Sequence, residues 1–166
     1  MKTRSKVEGI FERARSSLLM VVVFSVFNLF LNIFNAKIFF LFSVTFPMIV
    51  LELGGFLAEE GYGQTAVIVT FAVAFAMVAL YFGCYLLSDK LKGFVVVALA
   101  MFSFDTLFLL LLVIFQPEAS VIIDLAFHIL VIYYLAVGIK AWLDLKKLPP
   151  EEPAESIEPM CGTVQP

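Results

Sequence analysis

Long apolar runs separated by short polar segments dominate the chain. A helix that crosses a bilayer needs about 20 apolar residues, within a range of about 17–25. Four segments have that length and predict transmembrane helices: 17–34, 65–87, 93–115 and 121–143. The pattern therefore predicts an all-α fold, a polytopic membrane helical bundle between residues 17 and 143.

The segment 1–16 is basic and amphipathic. Its apolar positions, Val7, Ile10, Phe11 and Ala14, recur at the three- and four-residue spacing of a helix. Basic amphipathic helices commonly lie in the plane of the membrane surface. We expect an interfacial helix here, which runs directly into the first span.

A fifth apolar stretch, 38–57, is unlike the others because it contains Pro47 and Glu52. Pro47 biases Phe46 away from helical geometry. Cytoplasmic loops collect Lys and Arg, and if this stretch does not cross, every Lys and Arg except Lys37 lies on one side of the membrane. The sequence thus predicts a re-entrant or interfacial helical hairpin on the outer side, broken at Pro47, with both termini cytoplasmic.

Composition and charge narrow the class of protein. The chain is 62% hydrophobic and 15% charged, against about 45–50% and about 25% in soluble domains. The lipid bilayer is therefore the expected surrounding, and we interpret the chain as a multi-pass protein of the cell membrane. No basic nucleic-acid-binding surface is indicated. The Pro- and Glu-rich segment 148–166 is expected to be a disordered acidic cytoplasmic tail.

Polar side chains within the spans are few, and they are costly in lipid. Asp105 lies about 15 Å from the nearer end of its span, close to the midplane. Asp124 and His128 are four residues apart and share a helix face. Along the first span and just beyond it, a stripe of polar residues shares one helix face: Ser25, Asn28, Asn32 and Asn35. The stripe serves either for interhelical hydrogen bonding or as the lining of a hydrated pocket.

These polar groups fall between the midplane and the predicted outer face. They suggest an outward-facing cavity that binds a small ligand or a proton. The candidate lining residues are Asn28, Asn32, Glu52, Asp105, Asp124 and His128. The alternative is that these side chains only supply hydrogen bonds to the backbone of the hairpin.

Three functions remain open on the sequence. The first is a transporter-like or small-ligand or cation-binding protein. The second is a non-catalytic accessory subunit of a larger membrane complex, with a membrane-protein partner or a second copy of the chain. An intramembrane enzyme using His128 and Asp124 is the least favoured, because no hydrolase, nucleotide or metalloprotease motif is present. A single histidine does not predict a metal site, and no cofactor or catalytic residue is assigned.

Overall fold

The computed structural model describes residues 3–34, 36, 40, 42–115 and 117–149. All regular structure in these residues is helical. The two ends of the chain, including most of the predicted acidic tail, lie outside the described residues, as does Asn35 of the polar stripe.

Five α-helices and one π-helical turn make up the described chain. Their bounds are α1 (Arg4–Ile33), α2 (Phe46–Leu57), the π-helical turn Ala58–Tyr62, α3 (Gly63–Lys90), α4 (Phe94–Phe115) and α5 (Ala119–Leu145). Four helical stretches are long and apolar enough to cross a membrane: α1, α2 together with α3, α4, and α5. This confirms the predicted all-helical membrane bundle.

The four longest helices, α1, α3, α4 and α5, form a ring in which each packs against two neighbours. α1 contacts α3 and α5, and α4 contacts the same two helices. Neighbours run antiparallel, as shown by Ala14 of α1 against Gly138 of α5 and Arg15 of α1 bonded to Ser88 of α3. Large apolar side chains cover the outer surface of the ring, which suits contact with lipid.

The ring has two chemically different ends. The basic end contains the start of α1, the 91–93 turn and the end of α5. Every Lys and Arg of the described residues lies in that half of the bundle: Arg4, Lys6, Arg13, Arg15, Lys90, Lys92, Lys140, Lys146 and Lys147. The opposite end, called the Gly61 end, contains the end of α1, the 58–62 turn and the start of α5.

The N-terminal segment is helical and runs directly into the first span, as expected. It is the first half of α1, which continues without a break for 30 residues. Val7, Phe11 and Ala14 are buried inside the bundle, and Ala14 packs tightly on Gly138 of α5. The apolar periodicity identified the buried face correctly, but this face packs against protein and not along a membrane surface.

The segment 38–57 differs from the expected pair of helical arms. α2 begins at Phe46, and Pro47 lies in its first turn, where the missing N–H is not needed and the fixed φ suits a helix. The described residues before it, Phe40 and 42–45, are not helical, and 37–39 and 41 lie outside the described residues. Pro47 therefore starts a helix and does not break one.

After α2 the chain reverses direction at the 58–62 turn. Gly61 has φ 103° and Gly63 has φ 65°, values that a residue with a Cβ adopts only with strain. The reversal lays α2 antiparallel on α3, with Gly54 directly against the side chain of Thr70. The start of α2 is therefore placed deep in the bundle, level with the middle of α4.

Candidate functional site

The non-helical segment 42–45, here called the arm, lies at the centre of the ring. Ser43, Val44 and Thr45 are all buried. The arm and the start of α2 contact side chains of α1, α4 and α5 through hydrogen bonds, and of α3 through an apolar cleft. A backbone without regular structure can occupy such a position only if its polar groups find partners in the surrounding protein.

Asp105 supplies two of those partners. Its Oδ2 accepts the N–H of Thr45 at 2.9 Å, and its Oδ1 accepts the N–H of Phe46 at 2.7 Å. The first N–H groups of a helix have no partner within the helix, and a carboxylate there is also favoured by the helix dipole. Thr45 occupies the N-cap position without using its own side chain as a cap. Asp105 of α4 therefore caps α2.

His128 joins Asp105 to α5. Its Nδ1 lies 2.9 Å from the carbonyl oxygen of Asp124, and its Nε2 lies 3.1 Å from Oδ2 of Asp105. The carbonyl can only accept, so Nδ1 carries a proton. Nε2 and the carboxylate oxygen would both be acceptors without a proton between them. One proton is therefore shared by His128 and Asp105, and the ring of Phe102 stacks on the imidazole with centroids 4.7 Å apart.

Two side chains of α1 hold the other side of the arm. Ser25 accepts the N–H of Val44 at 2.9 Å. Asn28 donates to the carbonyl of Phe40 at 2.7 Å and to the hydroxyl of Ser43 at 2.8 Å, and its own oxygen accepts the N–H of Phe40 at 2.8 Å. Asn28 thus pairs with Phe40 through both of its polar atoms, as a neighbouring strand would.

A cavity of about 280 Å³ lies between α2, α4 and α5, in the half of the bundle toward the Gly61 end. Four polar side chains line it: Thr45, Glu52, Ser120 and Asp124. The rest of the wall is apolar. Glu52 is exposed, whereas only 4% of Asp124 is exposed, so one carboxylate lies near the surface and the other lies in the interior.

Asp124 is bonded less completely than Asp105. The carboxylate accepts the backbone N–H of Phe42, but its Oδ1 is buried and has no hydrogen-bond partner; Nδ1 of His128 lies 3.7 Å from this oxygen. That nitrogen already donates to the backbone carbonyl of Asp124. A buried acceptor without a partner is uncommon in native structures and needs an explanation, such as a bound water, ion or ligand.

The structure brings only some of the six candidate residues together. Asp105 and His128 form one bonded pair, and Asp124 and Glu52 share the cavity. Asp105 does not line that cavity but borders a smaller apolar cleft between α2, α3 and α4. The shared face of Asp124 and His128, and its burial, are confirmed; a role in ligand binding stays a prediction.

The two candidate asparagines of α1, Asn28 and Asn32, have different surroundings. Asn28 is buried and bonded to the arm, whereas Asn32, one turn further along, is exposed. Ser25, a member of the polar stripe, bonds to Val44 of the arm, whereas the bond of Thr45 to Asp105 was not predicted. Pro47 could have located that bond, because a proline in the first turn of a helix marks the preceding residues as the helix start.

The arrangement gives little support to a metal centre. The described residues contain no group of three or more His, Cys, Asp or Glu side chains placed to hold a metal ion. Both ring nitrogens of His128 are already engaged.

Comparison of this chain with protein families, with curated proteins and with solved structures finds no match.

Proposed function

We propose that this chain is a transporter-like membrane protein that binds a small cation in the cavity between α2, α4 and α5. The observation that carries the proposal is the buried Oδ1 of Asp124, which has no partner in the described chain and belongs to a residue that lines the cavity. A second carboxylate, Glu52, lines the same cavity. A cationic ligand would add a second positive charge to that of His128, which lies 3.7 Å from Oδ1 without a hydrogen bond to it, and would supply a donor to the carboxylate.

The distribution of charge supports a cation over an anion. All Lys and Arg side chains of the described residues belong to the half of the bundle at the basic end, away from this cavity. An isolated charge in a low-dielectric interior is expensive unless it is paired. Asp124 in its ionised form would therefore attract a cation strongly, and the exposed Glu52 would favour its entry.

The proposal includes an orientation in the cell membrane. Because positively charged segments remain on the cytoplasmic side, the basic end and both termini are cytoplasmic, and the cavity opens toward the outside. The arm enters from the outer side, reaches the level of Asp105, and α2 returns to the outer side as a re-entrant half-helix. Its buried polar groups are bonded to protein, as such a segment requires.

An accessory role in a membrane complex is the second candidate. It is favoured by the bonding of Asp105, His128 and Asn28, which are all occupied by contacts within the chain. Fully bonded polar groups hold helices together and need no ligand. The enzyme hypothesis has less support, since the Nε2 of His128 that would accept a proton from Thr45 is engaged by Asp105.

Thermal unfolding of the purified protein in detergent, followed by Trp142 fluorescence, tests cation binding. Inorganic and organic cations are compared on the natural chain, on Asp124→Asn and on a matched acidic control in the exposed turn, Glu60→Gln. A ligand at about 100 times its Kd adds about 2.7 kcal/mol, which corresponds to a Tm increase of about 5–10 °C. We expect the increase in the natural chain and the control and its loss in Asp124→Asn.

The result that overturns cation binding is an unchanged Tm of the natural chain with every cation. An equal increase in Asp124→Asn would overturn the assignment of the site. Purification from membranes with a stoichiometric protein partner, together with unchanged Tm values, would favour the accessory role.

The orientation is tested by labelling intact cells with a membrane-impermeant maleimide. In a Cys84→Ala background, the natural Cys161 should react only after the cells are opened. A second chain, with Cys84 and Cys161 replaced by Ala and with Glu60→Cys, should react in intact cells. The opposite pattern would contradict the cytoplasmic location of the termini.

A further inference from the structure

We infer that the cation is an organic ammonium ion with an apolar body, and that metal ions and small inorganic cations are not the ligand. This inference rests on the proposed cation site and adds the chemical class of its occupant. Three features of the cavity carry it: its size, the number of its polar groups and the nature of its remaining wall.

The size of the cavity does not fit a bare ion. Its volume is about 280 Å³, whereas one water molecule occupies about 30 Å³ in the liquid. A bound metal ion would leave most of this space empty or filled with water against apolar walls. The volume is close to the lower end of the range for small-molecule sites, about 300–1,000 Å³.

The polar groups are too few for a metal. Hard cations take six or more oxygen ligands in the case of Ca²⁺, and a near-ideal octahedron in the case of Mg²⁺. The cavity offers the carboxylates of Glu52 and Asp124 and the hydroxyls of Thr45 and Ser120. The described residues contain no metal-binding group of three His, Cys, Asp or Glu side chains. An ammonium group needs only acceptors for its three N–H bonds, and Asp124, whose carboxylate is not fully bonded, lines the cavity.

The remaining wall is apolar and suits a hydrocarbon body. Met48 and Ile49 of α2 line the cavity together with Leu109 and Leu112 of α4. Sites of this kind bind ligands through apolar contact and use a few polar groups to fix orientation. We place the ammonium group at Asp124 and the apolar body between α2 and α4.

Dissociation constants for a series of primary alkylammonium ions test this class. The series is methyl-, butyl- and hexylammonium, with hexanol as a neutral control of equal chain length and Na⁺, K⁺ and Ca²⁺ as inorganic ions. The free energy gained by burying one methylene group corresponds to about a fourfold decrease in Kd. We expect Kd to decrease by about that factor per added methylene, with no saturable binding of hexanol or of the inorganic ions.

Two variants separate the charge from the apolar wall. Asp124→Asn should weaken hexylammonium binding at least 50-fold. Val121→Phe, which fills the cavity and keeps both carboxylates, should also abolish binding, and it tests the site even if Asp124→Asn does not fold. Glu60→Gln should bind as the natural chain does.

The outcomes distinguish this inference from the proposed function. Binding of a metal or inorganic cation at Asp124, with no gain along the alkyl series, would overturn the ammonium class and leave the cation site standing. Saturable hexanol binding of equal strength would also overturn it, because the charge would then contribute nothing. Absence of binding by every cation would overturn both.

Discussion

Two carboxylates inside the same bundle, Asp105 and Asp124, are bonded in opposite ways. Each oxygen of Asp105 accepts a backbone N–H of the α2 start, and Oδ2 also shares a proton with His128. Oδ1 of Asp124 has no partner. Both side chains are almost completely buried, so burial does not distinguish them. They differ in the number of hydrogen bonds that each already makes, and on this difference the proposed ligand-binding role of Asp124 rests.

The difference between the two acids is expected to appear in their energetics. Removing one member of a buried, bonded ion pair leaves the other charge and several N–H groups without partners. Asp124 accepts a single backbone N–H, that of Phe42, and its Oδ1 has no hydrogen bond, so neutralising it removes a charge that is costly to bury and few bonds. The central region should therefore be sensitive to substitution, and the cavity tolerant of it.

The largest expected effect is that of Asp105→Asn. An asparagine has one acceptor oxygen, so its NH₂ group would face one of the N–H groups of Thr45 and Phe46, and His128 would lose its counter-charge. We expect the free energy of unfolding to decrease by about 3–5 kcal/mol, measured by thermal unfolding in detergent, with a Tm decrease of roughly 6–20 °C.

The matched control for this substitution is Asp89→Asn at the basic end. Asp89 pairs with Arg15 at 3.0 Å, but 66% of its side chain is exposed. Exposed ion pairs contribute about 0–1 kcal/mol. If Asp105→Asn and Asp89→Asn lower the Tm equally, Asp105 does not cap α2.

The second prediction concerns the two asparagines on α1. Asn28→Leu keeps the approximate size of the side chain but leaves the N–H and carbonyl of Phe40 and the hydroxyl of Ser43 without their partner. The bond to Ser43 is buried, and the two bonds to Phe40 are partly buried. An unpaired buried group costs about 1–3 kcal/mol, so we expect a loss of about 2 kcal/mol in the same assay.

Asn32→Leu is the control, because it makes the identical change one turn further along the same helix at an exposed position. Its effect should remain within about 0.5 kcal/mol. Equal losses for the two variants would mean that the arm is not held by Asn28.

The long helices could be predicted from the sequence much more completely than the arm and its hydrogen bonds. The apolar runs predicted α3, α4 and α5 to within a few residues, because a helix in lipid must be apolar over a length fixed by the bilayer. The four-residue spacing of Asp124 and His128 predicted that they share a helix face. Both inferences depend on local geometry alone.

The arm and the start of α2 could not be predicted in the same way. Pro47 was interpreted as a break in a helical hairpin, whereas its structural role depends on a carboxylate of α4, far away in sequence. The bonds of Asn28 and Asp105 to backbone groups are likewise contacts between distant segments. Hydrophobic periodicity predicts which face of an element is buried but not which element covers it, which also explains the different packing of residues 4–16.

The third prediction addresses the contact that positions α2 on α3. In Gly54→Ala the added Cβ would overlap Oγ1 of Thr70, so α2 would have to move away from α3. Overpacking of this kind costs about 1–3 kcal/mol, measured again as a loss in thermal unfolding.

Gly55→Ala is the neighbouring control, since a Cβ there meets nothing within 4 Å and alanine favours the helix. We expect this variant to be as stable as the natural chain or slightly more stable. A Gly54→Ala variant as stable as Gly55→Ala would contradict the close packing of α2 on α3.

The most direct test of the account is the thermal unfolding of Asp105→Asn and Asp124→Asn, measured side by side without ligand. Both substitutions remove the same charge from buried positions. We predict that Asp105→Asn loses about 3–5 kcal/mol. Asp124→Asn should change stability by less than about 1 kcal/mol, because Oδ1 makes no hydrogen bond and an asparagine oxygen can still accept the backbone N–H of Phe42. Equal losses would show that Asp124 is as structural as Asp105 and would contradict the assignment of the cavity as a ligand site.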